Sequence, residues 1–300
     1  MGCHKPIYGY KTKSGQVGFS EAGFAQAASP KFPLPCGRCT GCRLARSLEH
    51  SIRCMHEAQT HTENTAVTLT YDNHHLPPNG ELNHKDFQIF IRALRDRTHL
   101  RLRYFMCGEY GEKNNRPHFH AILFGYEFPD KYKWRFRRGK TDYRSNILDK
   151  VWARGHAEIM PVTRQTTQYI ARYIMKKQSA DLNFENQPHH VDPETGEIKA
   201  KQQEYVKMSL KPGLGAAWLE KYEKDIFPAD TCIIEDGKKV PVPKYYRTLM
   251  QRKYPVHADI LARKRTENAI NHVDPDGTSE RLATRDKIAQ IRAKKLKREL

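Results

Sequence analysis

The sequence predicts an α+β domain, an antiparallel sheet packed by helices. Three observations carry that reading. Short β-branched or aromatic runs end in turn-forming Asp, Asn or Gly. Apolar residues at helical spacing fall between those runs. The resulting order is strand–helix–strand–strand–helix–strand–helix, which suits helices packed on an antiparallel sheet.

Each element has its own signal. The first 35 residues mix Gly, Ser and Pro with short apolar pieces and read as loop and short strands. Cys36-Gly-Arg-Cys39-Thr-Gly-Cys42 follows and runs into a helical pattern over residues 40–60. Residues 66–71 (AVTLTY) are β-branched and stop at Asp72-Asn73, a strand and its turn. Phe87, Phe90, Ile91 and Leu94 then recur at helical spacing, with Asn83 as N-cap. Residues 102–108 and 119–124 are strand-like and joined by the turn-rich residues 111–117, a β-hairpin signal. Residues 143–154 read as helix, 156–162 as strand, and 166–177 as a helix with a basic end. Residues 178–204 are polar and read as an insert or mobile loop. From Arg281 onward eight Lys/Arg stand against Asp286 and Glu299, which predicts an exposed basic helix. There is no internal repeat.

A chain of 300 residues can bury a sizeable core. Its 52 Lys+Arg against 34 Asp+Glu give a formal charge of +18, and the usual partner of such an excess is a polyanion. No run approaches the length of a membrane span, and residues 1–13 lack the apolar core of a secretory signal. A chain of that kind is expected to stay in a reducing compartment. Its seven cysteines, three of them clustered, then point to metal or free thiols rather than a disulfide framework.

His118-Phe119-His120 is the strongest local signal. Alternate residues of a strand share a face, so both imidazoles point one way and Phe119 the other. Glu109 ends the preceding strand, and pairing brings its carboxylate beside the histidines; Glu112, in the turn, is the rival ligand. Two His and one carboxylate leave coordination positions open for water and a substrate oxygen, as catalysis requires. An oxygen-rich remainder of the shell suits Mg²⁺ or Mn²⁺, and the imidazoles favour Mn²⁺.

The second signal is Tyr169-Ile-Ala-Arg-Tyr173-Ile-Met-Lys176-Lys177. Residues four apart are neighbours on a helix, so Tyr169 and Tyr173 share one face while Ile170 and Ile174 form an apolar stripe. Two tyrosines covering a sheet is the structural alternative. A phenol with a pKa near 10 becomes a usable nucleophile when a metal polarises a phosphate and cations such as Arg172, Lys176 and Lys177 stabilise developing charge. The third signal is Cys36, Cys39 and Cys42, which can ligate structural zinc with Cys3 or His4 as fourth ligand. An iron–sulfur cluster and no metal at all are the alternatives. Cys54, Cys107 and Cys232 read as buried thiols.

Three stretches stand in an informative order: Thr68-Leu-Thr-Tyr71, Arg116-Pro-His-Phe-His-Ala-Ile-Leu-Phe124 and Tyr169-Ile-Ala-Arg-Tyr-Ile-Met-Lys176. Together they resemble the motifs of the HUH endonucleases, and within them the replication initiators of small single-stranded DNA phages. Cys36-Gly-Arg-Cys39, Cys107-Gly-Glu-Tyr-Gly111, Lys211-Pro-Gly-Leu-Gly215 and Pro243-Lys-Tyr-Tyr246 look like the gokushovirus branch of the Microviridae. The resemblance covers most of residues 1–250.

It implies a five-stranded antiparallel sheet flanked by helices. Residues 61–180 would be the catalytic core, and residues 1–60 a Cys-rich segment and helix packed on it. Residues 181–260 would be a family-specific extension and 261–300 a basic helical tail. It also implies His118, His120 and Glu109 as metal ligands and Tyr169 and Tyr173 as alternating nucleophiles. One of them would nick single-stranded origin DNA and keep the 5′ end as a phosphotyrosine. The other would release a closed circle. The implied setting is the cytoplasm of a host bacterium, with no membrane. No GxxxxGK[ST] phosphate loop is present, so strand separation falls to a host helicase or to supercoiling, beside a host single-strand-binding protein and DNA polymerase. The rival readings are an HUH transposase or plasmid initiator, and a non-catalytic zinc-finger nucleic-acid binder.

Overall fold

Alternating apolar positions build strands with two usable faces, and a computed structural model of the chain shows where each face goes. It describes residues 2–111, 114–137, 139–177, 189–191, 195–227, 229–234, 237–271 and 276–295. In chain order, β1 (Ile7–Lys11), β2 (Val17–Gly18), the one-turn α1 (Glu21–Phe24) and β3 (Phe32–Leu34) precede α2 (Thr40–Ala58). Next come β4 (Asn64–Tyr71), α3 (His84–Thr98), β5 (Arg103–Tyr110) and β6 (Pro117–Phe124). They are followed by β7 (Tyr132–Arg137), β8 (Lys140–Arg144), α4 (Asn146–Trp152), β9 (Gly155–Pro161) and α5 (Arg164–Lys177). Then come β10 (His189–Val191), β11 (Ile198–Ala200), β12 (Tyr205–Met208) and α6 (Ala216–Ile226). The last elements are β13 (Thr231–Ile233), β14 (Lys239–Pro241), α7 (Lys244–Lys253), α8 (Pro255–Asn271) and α9 (Ser279–Lys295). Two compact units result, one of residues 50–222 and one of residues 1–49 with 223–299.

The unit of residues 50–222 is built on an antiparallel sheet of seven strands, in the order β12-β5-β6-β4-β9-β8-β7. The expectation of five is therefore corrected. Four strands, β5, β6, β4 and β9, match the strand-like runs of the sequence, and three more flank them, β12 at one edge and the β7–β8 hairpin at the other. A second correction concerns residues 143–154, read as one helix. The chain stays extended to Arg144, and Ser145 caps α4 by accepting the Leu148 N–H at 3.0 Å. The expected polar insert is also partly structured: β10 and β11 pair as a two-stranded antiparallel ribbon, while residues 178–188 and 192–194 lie outside the described residues.

One face of the sheet carries Val67, Leu69, Tyr71, Met106, Phe119, Ala121 and Leu123. They pack against Phe87, Phe90, Ile91 and Leu94 of α3 and Leu148 and Trp152 of α4. As expected, Asn83 caps α3, its side chain accepting the Lys85 N–H at 3.2 Å. Burying each such large side chain is worth about 1.5–3 kcal/mol, so this face anchors the strands firmly. The opposite face carries Ala66, Phe105, Cys107, Ile122, Phe124 and Met160, with Cys54 of α2 and Ile170 and Ala171 of α5 packed on it. Near Tyr71 only glycine fits at residue 155, which has φ +141 and where a Cβ would lie 2.3 Å from the Asp72 amide nitrogen.

In the other unit β1 lies between β2 and β3, and β13 pairs with β14. Tyr10, Phe32, Val240, Val242, Tyr246, Met250, Ala258 and Leu261 are among its buried side chains. The Lys244 N–H at the start of α7 donates to Glu49 Oε1 at 2.6 Å, giving that helix an acidic partner at its N-terminus. The described part of α9 is mostly exposed, as expected of the tail, but Asp286 on it is buried.

Candidate active site

The turn between β5 and β6 decides the site. Gly111 N–H donates to the Arg116 carbonyl at 2.9 Å, closing the hairpin so that Glu109 stands directly opposite His118 and Cys107 opposite His120. All four lie on the face that α5 covers, while Phe119 points into the opposite core. β4 supplies the other flank, with Thr70 opposite His118 and Thr68 opposite His120.

The side chains converge tightly. Glu109 Oε1 is 2.6 Å from His118 Nε2 and 3.3 Å from His120 Nε2. Each far nitrogen is already engaged: His118 Nδ1 donates to the Arg116 carbonyl at 3.1 Å, and His120 Nδ1 meets Thr68 Oγ1 at 2.9 Å. That arrangement turns both Nε2 atoms toward the carboxylate, as outer partners do for metal-binding histidines. Glu109 and His120 are buried, and Glu109 Oε2 has no hydrogen-bond partner among the described residues. Burial alone would raise the Glu109 pKa, but hydrogen bonds to His118 and His120 and their nearby charge bring it down to about 2. Two imidazole nitrogens and an ionised carboxylate, all within 4.8 Å of one another, form a donor set that fits one divalent cation.

Tyr169 approaches from α5. Its ring centroid is 5.5 Å from that of His120, at an interplanar angle of 87°. The ring is half-buried, and the neighbouring Ile170 and Ala171 anchor the helix in the core beneath the sheet. Tyr173 follows one turn later on the same helix. The side chains of Arg172, Tyr173, Lys176 and Lys177 lie outside the described residues, as does Glu112. Sequence reasoning did not single out Thr68 or the Arg116 carbonyl as positioning groups. The Thr68 role depends on cross-strand register, and the Arg116 role on the backbone two residues before His118.

In the other unit, Cys3, Cys36, Cys39 and Cys42 bring their sulfurs within 4.8 Å of one another. Cys39 and Cys3 sulfurs are 3.9 Å apart, and those of Cys36 and Cys42 4.0 Å. His4, the alternative fourth ligand, instead donates its backbone N–H to Cys39 Sγ at 3.2 Å and sets Nδ1 3.0 Å from Asp286 Oδ1. Burial would raise the Cys39 thiol, yet hydrogen bonds from the backbone and from Cys42 and Cys36 bring it down to about 6. All seven cysteines are free, and Cys54, Cys107 and Cys232 are buried.

Residues 64–178 match the family described as Replication-associated protein ORF2/G2P. The chain is 30% identical over 265 residues to the replication-associated protein VP4 of Bdellovibrio phage phiMH2K, covering 85% of this chain and 79% of that one. The chain belongs to the Microviridae-type replication-associated proteins. Within that family, ORF2 of Spiroplasma virus 4 is 28% identical over 293 residues, 90% of this chain and 87% of the relative. ORF4 of Chlamydia phage 1 is 27% identical over 243 residues, 78% of this chain and 57% of the relative. No solved structure matches. The matched residues 64–178 run from β4 to α5 and include Glu109, both histidines and both tyrosines. The cysteine cluster falls outside them. Among the described residues no helix is long and apolar enough to cross a membrane.

Proposed function

We propose that the chain initiates rolling-circle replication as an HUH-type endonuclease, nicking single-stranded origin DNA and resealing it after one round. The observation that carries this reading is the convergence of two outwardly braced imidazoles and an ionised carboxylate beside Tyr169. A divalent ion held by Glu109, His118 and His120, Mg²⁺ or Mn²⁺, would polarise the scissile phosphodiester and offset charge developing on it. The Tyr169 hydroxyl attacks phosphorus, losing its proton as the P–O3′ bond breaks. The 3′ oxygen leaves as a hydroxyl able to prime synthesis, and the 5′ phosphate stays on the phenol. One phosphodiester is exchanged for another, so the reverse step needs no nucleotide. Tyr173 serves as the second nucleophile, and Arg172 and Lys176 steady the phosphate charge.

The +18 charge suits a single-stranded DNA substrate, whose affinity comes mainly from distributed phosphate interactions. Helicase, single-strand-binding protein and polymerase would then come from the host cytoplasm. The test uses labelled single-stranded oligonucleotides tiled across the encoding genome, incubated with Mn²⁺. An SDS-resistant adduct on one tile is expected. Tyr169→Phe and Tyr173→Phe should each keep some nicking, with the adduct on the remaining tyrosine, and should lose most circle release. The double variant should bind DNA and form no adduct. An adduct on the double variant would reject this helix as the catalytic one. Binding without any adduct from the wild type would favour the non-catalytic nucleic-acid binder.

A further inference from the structure

We propose that Cys3, Cys36, Cys39 and Cys42 hold a structural zinc ion, and that this site secures the basic helix α9 through the pair His4–Asp286. The inference stands apart from the nicking reaction, because none of these residues belongs to the triad or to the tyrosine helix. Its first support is spacing. A tetrahedral ion with Zn–S bonds of about 2.3 Å holds its sulfurs about 3.8 Å apart. Two of the separations are 3.9 and 4.0 Å, and all four sulfurs lie within 4.8 Å of one another. A multi-iron cluster has to fit inside its thiolates and spreads them further than a single ion does.

The second support is the set of donors aimed at the sulfurs. Cys36 N–H points to Cys3 Sγ at 3.4 Å, and the Arg38 and Cys39 N–H groups point to Cys36 Sγ at 3.4 and 3.3 Å. His4 N–H points to Cys39 Sγ at 3.2 Å. Backbone donors arranged in this way favour thiolates, the form a metal binds. Gly37, at φ +75, makes the turn that aims these amides, a conformation that favours glycine. Gly41 lets the N-terminal segment deliver Cys3: a Cβ there would lie 1.3 Å from the Gly2 carbonyl oxygen.

The link to α9 follows from Asp286. This carboxylate is buried on a helix otherwise dominated by exposed and basic residues. It is 3.0 Å from His4 Nδ1, and Gln290 Nε2 donates to its other oxygen at 3.0 Å. His4 is the residue after Cys3, so fixing Cys3 fixes the partner of Asp286. Losing the ion frees the segment that α9 is tied to.

The full-length protein, purified without chelators, should carry zinc at about one ion per chain after dialysis. Cys36→Ser or Cys39→Ser should lose it, and Glu109→Gln should retain it. Asp286→Asn should retain zinc while tryptic cleavage within α9 becomes faster. Zinc stripped from the wild type with a mercurial should speed the same cleavage, which keeps the test independent of whether the serine variants fold. Zinc that survives both cysteine substitutions, iron in its place, or a zinc-free wild type with all four thiols reactive would overturn the site. Unchanged α9 cleavage after zinc removal would overturn the link.

Discussion

At the scale of single residues, Glu109 has two roles that substitution can separate. It supplies the negative charge between the two converging imidazoles, and it fills the space between them. Glu109→Gln keeps the volume and removes the charge, so nicking should fall by about a thousandfold while single-stranded DNA binding changes little. Normal cutting by this variant would displace the triad as the catalytic centre. Thr68 acts through His120, whose Nδ1 it holds at 2.9 Å. Thr68→Val should weaken metal affinity by about 10–100-fold, and Thr68→Ser should restore it. A titration of activity against Mn²⁺ checks this, because excess metal should rescue Thr68→Val but not Glu109→Gln. A purely structural role for Thr68 would leave the metal dependence unmoved and lower activity at every concentration.

At the scale of elements, α2 carries a pH dependence into the unit of residues 50–222. His56 is buried with its ring centroid 3.5 Å from that of Trp218, and burial pushes its imidazole down to about 4. The unfolded chain binds that proton near pH 6.5, so stability falls as pH drops from about 6.5 to about 4. At pH 5 the loss should approach about 2 kcal/mol, measured by urea denaturation against pH 7, and His56→Gln should remove most of that difference. Glu57, the next residue, continues the trend further down. Burial would raise its pKa, but bonds from His61, Gly215 and Arg103 lower it. Its contribution is present above about pH 4.3 and is lost below. The elements differ in how far they could be read in advance. β4, β5, β6 and β9 announce themselves as apolar runs, and the β5–β6 turn is spelled out in Gly, Asn and Pro. β7 does not, because an exposed edge strand alternates aromatic with basic residues and buries little. Helical spacing of Ile147, Val151 and Trp152 hid the strand that runs up to Ser145. The triad and Tyr169 were legible as residue types at fixed intervals. Thr68 was not, since its role arises from a partner strand about fifty residues away. Cys3 and His4 were alternatives in the sequence, and only coordinates separate a sulfur aimed at the cluster from an imidazole turned toward Asp286.

At the scale of the whole molecule, the charge of +18 is unevenly available for DNA. On α9, Arg281 and Arg285 are both paired with Asp276. Truncation from Arg281 should therefore flatten the salt dependence of single-stranded DNA binding chiefly through Lys287, Arg292 and the cations after them. Each phosphate that loses its cation should lower the log–log slope by about 0.7, and an unchanged slope would mean that α9 does not touch DNA. The seven-stranded sheet has a different consequence, concerning what the protein must avoid. A sheet that does not close leaves a border of peptide groups on which a second copy could continue the ladder. At the β7 border, Tyr132, Trp134 and Phe136 are exposed, which makes that border sticky as well as open. Yet a register shift falls between Lys133 and Arg135, so the border is bent, and cations alternate with its rings. Two copies meeting along it would set like charges against each other across a kinked seam. That repulsion is strongest in dilute buffer and fades as salt rises, so crowding at high ionic strength is the condition under which this chain is most exposed to fibre-like self-association.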